Sequence, residues 1–98
     1  MFVVTVTFVA QADQSQALYE ALIEQARNSL TLEPGCHTFD VCVSTDDEAT
    51  VFLYEQYADA AAFDDHLASR HFKSFDSRVT PWVRSKSVQT WTISERGQ

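Results

Sequence analysis

Residues 31–57, TLEPGCHTFDVCVSTDDEATVFLYEQY, contain the clearest secondary-structure signals of the chain. This stretch opens with a helix stop at Glu33-Pro34-Gly35, because proline cannot continue a helix and glycine supplies a permissive turn. A strand is predicted over residues 36–44. A second strand over residues 51–57 is rich in β-branched and aromatic side chains, and a short polar run joins the two. The stretch therefore predicts a hairpin that follows a helix.

Upstream of this hairpin the sequence predicts one strand and one long helix. Residues 2–9 alternate in hydrophobicity, as a half-buried strand does, and residues 14–31 carry leucine and alanine at helical spacing. Asp13 followed three residues later by Gln16 resembles a capping box at the start of that helix.

Downstream, Asp59 and Ser69 are candidate N-caps for two short helical segments that end at Pro81, and residues 86–94 predict a last strand. The order is β-α-β-β-α-β, the split βαβ pattern, with the two short segments filling the second helical position. We therefore expect one domain over residues 1–98, a ferredoxin-like α+β fold with an antiparallel sheet and helices on one face.

The sheet face without helices still carries apolar and aromatic side chains. These are residues such as Leu53 and Tyr57, or Trp91 and Ile93, whichever parity faces inward. A second copy packed sheet against sheet would cover them, because a twofold interface uses the same patch twice. The expectation is a homodimer that shares a β-barrel.

The composition excludes several classes of protein. Of 98 residues, 45% are hydrophobic and 21% charged, which is typical of a packed domain. The net charge of -7 gives no electrostatic support for nucleic-acid binding. No apolar run approaches the roughly 18 residues of a membrane span, and the N-terminus does not resemble a signal peptide. We expect a cytoplasmic protein with no membrane association.

The charges are uneven along the chain. Residues 1–65 hold twelve acidic residues and one basic residue, and residues 66–98 hold two acidic and six basic residues. Such asymmetry is typical of two solvated faces of opposite sign. The alternative is a basic rim near residues 70–86 that attracts an anionic substrate.

The two cysteines, Cys36 and Cys42, lie six residues apart on one predicted strand, which separates them by roughly 20 Å. They can form neither an intrachain disulfide nor a shared metal site. We expect both to be small, mostly buried residues in a reducing compartment.

Metal-ligand motifs, phosphate loops and dinucleotide-binding glycine patterns are absent from the sequence, so no cofactor or metal is expected. His66 falls on or beside the apolar stripe that contains Phe63, where a neutral imidazole could act as a general base. The alternative is a core histidine bonded to a carbonyl group. His71 begins a helical turn, a position more typical of a solvent-facing side chain.

Glu55 and its neighbour Tyr54 point to opposite faces of the third strand. A glutamate in so apolar a strand requires either an ion-pair partner, with Arg78, Arg84 and Lys86 as candidates, or a catalytic role. Asp40, between Phe39 and Val41, poses the same choice. The aromatic residues belong to the core by default, and they could also line a pocket for a flat ligand. They are Phe39, Phe52, Phe63, Phe72, Phe75 and Trp82.

Several segments together carry a family resemblance. They are Glu33-Pro34-Gly35-Cys36, Phe39-Asp40-Val41, Tyr54-Glu55-Gln56-Tyr57-Ala58-Asp59, His66 and His71-Phe72-Lys73. Through them nearly the whole chain resembles the antibiotic biosynthesis monooxygenase family of dimeric α+β barrels. The part from Phe39 to Lys73 looks most similar to small bacterial quinol-monooxygenase-like proteins and autoinducer-2 processing isomerases.

The resemblance implies a homodimer with a pocket between sheet and helices in each subunit. It also implies oxygenation of a small phenolic or quinol substrate without metal, flavin or haem. A phenol would be deprotonated and its anion would react directly with oxygen, which needs a base and hydrogen-bond donors, roles that suit His66 and Tyr54. The predicted catalytic set is His66, Tyr54, His71, Glu55 and Asp40. The predicted substrate-binding set is Phe39, Phe52, Phe63, Phe72 and Trp82.

Two alternatives stay open beside this interpretation. One is an isomerase of a small phosphorylated carbonyl compound, with Arg70, Lys73 and Arg78 holding the phosphate. The other is a non-catalytic dimeric protein that binds a small molecule. Haem degradation is rejected, because Asp76 stands where haem-degrading relatives place their ligating histidine and the first strand lacks their asparagine. The well-studied quinone-forming members carry a Trp and an Asn near the third strand and second helix, and this sequence has neither residue there.

Overall fold

The computed structural model describes residues 1–97, which form one four-stranded sheet and three α-helices. The elements in chain order are β1 (Phe2–Ala10), α1 (Ser15–Leu32), β2 (Cys36–Val43), β3 (Thr50–Tyr57), α2 (Ala60–Ala68), α3 (Arg70–Val79), a 3-10 turn (Thr80–Trp82) and β4 (Val83–Thr92). The strand order is β2-β3-β1-β4, and every neighbouring pair is antiparallel. The predicted ferredoxin-like α+β fold is confirmed.

The register of β1 with β3 fixes which side chains face the helices. Val4 lies opposite Glu55 and Val6 opposite Leu53, and all four are buried on this inner face. The outer face carries the intervening residues, among them Tyr54. A one-residue slip would exchange the two sets, so the buried apolar row on β1 specifies the register.

Helices α1 and α3 pack on the inner face of the sheet and contribute to its core. Leu18 and Leu22 of α1 are fully buried, and Phe75 and Val79 of α3 are nearly so. By contrast β4 is exposed along most of its length, with Trp91 half exposed, because it forms the edge of the sheet. In residues 1–97 there is no helix with the length and apolar character needed to cross a membrane.

Both predicted caps of the short helices are confirmed. The Asp59 carboxylate accepts a hydrogen bond from the Ala62 N–H at 2.8 Å, and the Ser69 hydroxyl accepts one from the Phe72 N–H at 3.2 Å. The capping box at α1 is wrong. That helix starts after Gln14 without a side-chain cap, because Asp13 adopts a left-handed turn with φ 65°.

Strict alternation also failed at the start of β2. The register of β2 against β3 shifts between Cys36 and Thr38, so Cys36 and Phe39 are both buried where alternation places them on opposite faces. Cys42 is exposed, against the expectation that both cysteines are mostly buried. The last strand begins at Val83, three residues earlier than predicted, because it continues directly from the 3-10 turn.

Candidate functional site

A cavity of about 60 Å³ lies between the inner face of the sheet and helices α2 and α3. Valine and leucine side chains of the strands form one wall, and Phe63, Phe72 and Phe75 form the other. Among residues 1–97 the polar side chains that line it are Gln25, Glu55, His66 and Lys86. The cavity is therefore a largely apolar, aromatic pocket with a few polar groups, the usual composition of a small-molecule site.

His66 lies three residues after Phe63 on α2, and only 3% of it is exposed. Its ring is stacked on the Phe63 ring at 6.0 Å and lies 4.9 Å from the Phe72 ring. Its Nδ1 is 2.9 Å from Glu33 Oε2 and 3.1 Å from Oε1. Burial lowers the pKa of His66, although the Glu33 carboxylate opposes this, so the imidazole is neutral at pH 7.

The contact with Glu33 determines the tautomer of this neutral ring. An ionised carboxylate only accepts hydrogen bonds, so we assign the proton to Nδ1, which donates it to Glu33. Nε2 then carries the free lone pair. Within the described chain Nε2 makes no hydrogen bond and is not fully enclosed. His66 is thus an oriented base with an accessible acceptor nitrogen.

The turn after α1 brings Glu33 to this histidine. Glu33 caps the C-terminus of α1, and its N–H bonds the Ser29 carbonyl at 3.2 Å. Two residues later the backbone of Gly35 passes so close to α2 that an added Cβ would lie 2.6 Å from the Ala62 Cβ. Glycine is required here for close approach, and that approach places the carboxylate beside α2.

His71 contacts the same carboxylate from α3. Its Nε2 is 2.7 Å from Glu33 Oε2, which is within ion-pair distance, but the two atoms do not have the geometry of a hydrogen bond. Its Nδ1 is 3.3 Å from Gln25 Nε2. The side chain is only 15% exposed, so the expectation of a solvent-facing residue was wrong. The Ser69 cap starts a new helix, which turns His71 inward. Two imidazoles therefore share one carboxylate oxygen.

Glu55 is the second ionisable group of the cavity. It lies on the inner face of β3, 3% exposed, and its Oε1 accepts a hydrogen bond from the Tyr57 hydroxyl at 2.6 Å. Burial raises the pKa of Glu55 to about 7, against the lowering effect of the Tyr57 hydrogen bond. Among the described residues none of the three predicted partners, Arg78, Arg84 and Lys86, forms an ion pair with Glu55. Arg78 pairs with Glu24 at 3.3 Å, and the charge of Lys86 lowers the pKa of Glu55 only as a minor effect.

Lys86 reaches the cavity from β4. Its Nζ lies 5.5 Å from the centroid of the Phe8 ring and 5.8 Å from that of Phe72. The ammonium is also 3.8 Å from an Asp76 carboxylate oxygen, in a pair whose side chains are 34% and 51% exposed. An exposed pair of this length contributes little to stability, so the ammonium remains able to bind another anion.

The chain matches the family model of the antibiotic biosynthesis monooxygenases over residues 1–78. It belongs to this family. A Nitrosomonas europaea protein assigned to the same family has 25% identity and a TM-score of 0.91, with 97% of this chain and 100% of that chain covered. A Shewanella oneidensis protein has 30% identity and a TM-score of 0.86, with 92% and 87% covered.

A Deinococcus radiodurans structure shares the fold at a TM-score of 0.92 and 18% identity, with 100% of this chain and 97% of that chain covered. A comparison with curated proteins gives no match. The family is thus established by sequence and by fold. The closer similarity to quinol-monooxygenase-like proteins and autoinducer-2 processing isomerases stays a prediction.

In this member of the antibiotic biosynthesis monooxygenase family, the cavity collects only some of the predicted residues. His66 and Glu55 line it together with Phe39, Phe63 and Phe72, while His71 lies directly behind them. Between Met1 and Gly97 there is no group of three or more His, Cys, Asp or Glu side chains arranged to hold a metal ion.

Tyr54, Asp40 and Phe52 lie on the other face of the sheet. Asp40 pairs with Tyr54 in the register, and the Tyr54 hydroxyl accepts a hydrogen bond from Gln56 Nε2 at 2.9 Å. Phe52 is 39% exposed. Trp82 is in the 3-10 turn, where it packs against the core away from the cavity.

Sequence reasoning missed four polar contributors to the site, among them Gln25, which lines the cavity and lies 3.3 Å from His71 Nδ1 through its Nε2. Glu33 was interpreted only as part of a helix stop, and its contact with His66 spans 33 positions, so no local pattern contains it. Tyr57 lies two residues after Glu55 and so shares its face, a signal that the strand periodicity did contain. Lys86 was considered as an ion-pair partner and not as a lining residue.

Proposed function

We propose that the protein is a monooxygenase that oxidises a small phenolic or quinol substrate with molecular oxygen, without metal, flavin or haem. Membership of the antibiotic biosynthesis monooxygenase family supports the reaction class. The observation that carries the proposal is the buried His66, which lines an aromatic cavity while its Nδ1 contacts Glu33 and its Nε2 makes no hydrogen bond in the described chain. This arrangement suits proton abstraction from a flat, weakly acidic ligand.

The first step is deprotonation of the substrate by His66. The Nε2 lone pair takes the phenol proton, and the ring becomes an imidazolium. Glu33 stabilises this cation through the 2.9 Å contact at Nδ1, because the negative carboxylate then attracts a positive ring across that hydrogen bond. The resulting phenolate is rich in electrons, and the apolar walls exclude water from it.

The phenolate then reacts with oxygen. Electron transfer and recombination form a peroxide at a ring carbon, and the His66 imidazolium returns its proton to the outer peroxide oxygen. Loss of the C–H proton at that carbon breaks the O–O bond, which leaves a carbonyl group on the ring and releases hydroxide. One oxygen atom stays on the product and the other leaves as water. The substrate supplies all four electrons, so no external reductant is needed.

Glu55 suits the proton transfers of that second stage. A carboxyl group with a pKa of about 7 is present in both forms at neutral pH, so it can take the C–H proton and give it to the departing hydroxide. Tyr57 holds the carboxylate in place at 2.6 Å. Tyr54 and Asp40, which face away from the cavity, have no part in this mechanism.

The isomerase alternative has less support from the cavity. Arg70 and Lys73 are exposed, and Arg78 pairs with Glu24, so none of the three lines it. A phosphate dianion in the cavity would lie beside Glu55, with Lys86 as the one cation that the described residues provide. A single cation is insufficient for a phosphate in such surroundings.

We also propose that the protein acts in the cytoplasm as a homodimer whose two sheets pack face to face. Phe52 and Trp91 leave 39% and 50% of their surfaces exposed on the outer face, where the sheet has no helical cover. A second copy of that face would bury both aromatic side chains. Light scattering at micromolar concentration should give twice the mass of the chain, and a monomer mass would contradict the dimer.

Oxygen uptake by the metal-stripped protein with a panel of hydroquinones tests the function. The His66→Ala variant should lose turnover and remain folded by circular dichroism. The matched control is His37→Ala, which removes an exposed histidine from β2 and should keep full activity. Full activity in His66→Ala would remove this residue from the mechanism. Binding without turnover for every substrate would support the non-catalytic alternative.

A further inference from the structure

We propose that Lys86 binds the ionised oxygen of the substrate and that the ligand is a single-ring phenol bound as its monoanion. The choice of a phenol rests on the proposed function. The role of Lys86 and the limits on size and charge come from the cavity itself.

The position of the Lys86 ammonium is the first support. Lys86 pairs with Phe8 of β1 in the register of the sheet, so its side chain projects from the inner face, on the same side as the cavity. Its Nζ ends near the rings of Phe8 and Phe72, which both line the cavity. These cation–π contacts hold the ammonium at the cavity without neutralising it. The described residues place no other lysine or arginine on the cavity wall.

Phe72 lies near both the Lys86 ammonium and the proposed base, His66. Its ring lies 4.9 Å from the His66 ring and 5.8 Å from Lys86 Nζ. A substrate ring packed against Phe72 is therefore within reach of both groups. His66 takes the proton, and Lys86 neutralises the charge that forms on the oxygen. The phenolate is stabilised as it appears, which is the condition for its reaction with oxygen.

The volume limits the ligand to one ring. The cavity measures about 60 Å³, well below the roughly 150 Å³ of an engineered apolar cavity that encloses benzene. Even one ring must therefore extend into the mouth, where Leu67 and Val88 are 40% and 49% exposed. A fused two-ring system would require these walls to separate further.

The charges of the site limit the ligand to one negative charge. Glu55 lines the cavity and Glu33 lies directly behind His66, so a second anionic group would face a carboxylate instead of a cation. Two negative charges placed side by side in a poorly solvated cavity repel each other strongly. The site therefore favours a phenolate over a phosphate ester or a dicarboxylate.

Absorbance titration with 4-nitrophenol tests the proposal, because its ionised and neutral forms absorb at different wavelengths. The wild-type protein should bind the phenolate, so that bound 4-nitrophenol ionises at lower pH than the free compound. Lys86→Met should bind the phenolate about ten- to hundredfold more weakly, as expected for loss of one charge-assisted hydrogen bond. Lys86→Arg should retain most of the affinity.

The matched control is Lys73→Met, which removes an exposed lysine of α3 outside the cavity and should leave the titration unchanged. Equal phenolate binding by Lys86→Met and wild type would overturn the proposal, and so would binding of the neutral form alone or no binding at all. A two-ring nitronaphthol that binds more tightly than 4-nitrophenol would overturn the size limit.

The titration separates this proposal from the proposed function. If Lys86-dependent phenolate binding is found but no phenol gives oxygen uptake, the monooxygenase fails and the binding role of Lys86 stands. If Lys86→Met retains full oxygen uptake and unchanged phenolate affinity, the role of Lys86 fails and the monooxygenase stands.

Discussion

Replacement of Glu33 by glutamine isolates the charge that supports His66. A glutamine amide oxygen can still accept the proton of Nδ1, so the 2.9 Å contact and the tautomer are preserved while the negative charge is lost. The contact is well shielded, with side chains 4% and 11% exposed, so solvent screening is weak. A hydrogen bond to a charged group in such a setting contributes about 1.5–3 kcal/mol.

The negative charge of Glu33 stabilises the imidazolium more than the neutral ring, so the loss of that charge raises the barrier for proton abstraction. We expect kcat/KM to fall about ten- to hundredfold. The pH profile should move as well. Removal of the carboxylate lowers the pKa of His66 further, and since the neutral ring is the active base, the acidic limb of kcat/KM shifts to lower pH.

The assay is oxygen uptake with a hydroquinone across the pH range, for wild type and Glu33→Gln. Glu24→Gln is the matched control, because it removes a carboxylate whose ion pair with Arg78 is on the surface of α1 and α3. The control should have the same kcat/KM as wild type, and the acidic limb of its pH profile should stay at the same pH. The role of Glu33 would be refuted if Glu33→Gln had an unchanged kcat/KM, or if its acidic limb moved to higher pH.

Further predictions concern stability and assembly. Glu55→Gln should be more stable than wild type above pH 7, by up to about 3 kcal/mol, because the carboxyl has a pKa of about 7 in the folded state and near 4.5 in the unfolded state. Urea titrations should therefore show a larger gain in the free energy of unfolding at pH 8 than at pH 5. Equal gains at both pH values would contradict a raised pKa of Glu55 in the folded state. Gly35→Ala should destabilise the fold by about 1–3 kcal/mol, because its added Cβ would collide with the Ala62 side chain. Thermal melts should show that a second change, Ala62→Gly, restores most of the lost stability. A Gly35→Ala variant as stable as wild type would refute the close approach. Phe52→Asp should shift the light-scattering mass to that of a monomer, and an unaltered dimer mass would place the interface elsewhere.

The element order could be predicted because it depends on local signals. Alternation over β1, the proline and glycine after α1 and the caps Asp59 and Ser69 each act within a few residues. The errors occurred where backbone geometry departs from simple periodicity. The bulge near Cys36 and the left-handed turn at Asp13 leave no distinctive spacing in the sequence.

The site was predictable only in part, because it depends on contacts between distant elements. His66 could be identified from its place beside the apolar stripe of α2, and Glu55 from its place in an apolar strand. The position of Glu33 could not be predicted, because it depends on how closely the turn at Gly35 approaches α2. His71 was misjudged because the helical turn it begins was treated as solvent-facing.

The proposed monooxygenase transfers one atom of molecular oxygen to a phenolic ring in this cavity. The most direct test of this transfer is turnover of a hydroquinone under isotopically heavy dioxygen, with mass analysis of the product. We expect one heavy oxygen atom in the product, the other in water, and no labelled product from His66→Ala. A product formed at full rate by the wild type without any heavy oxygen would contradict the transfer.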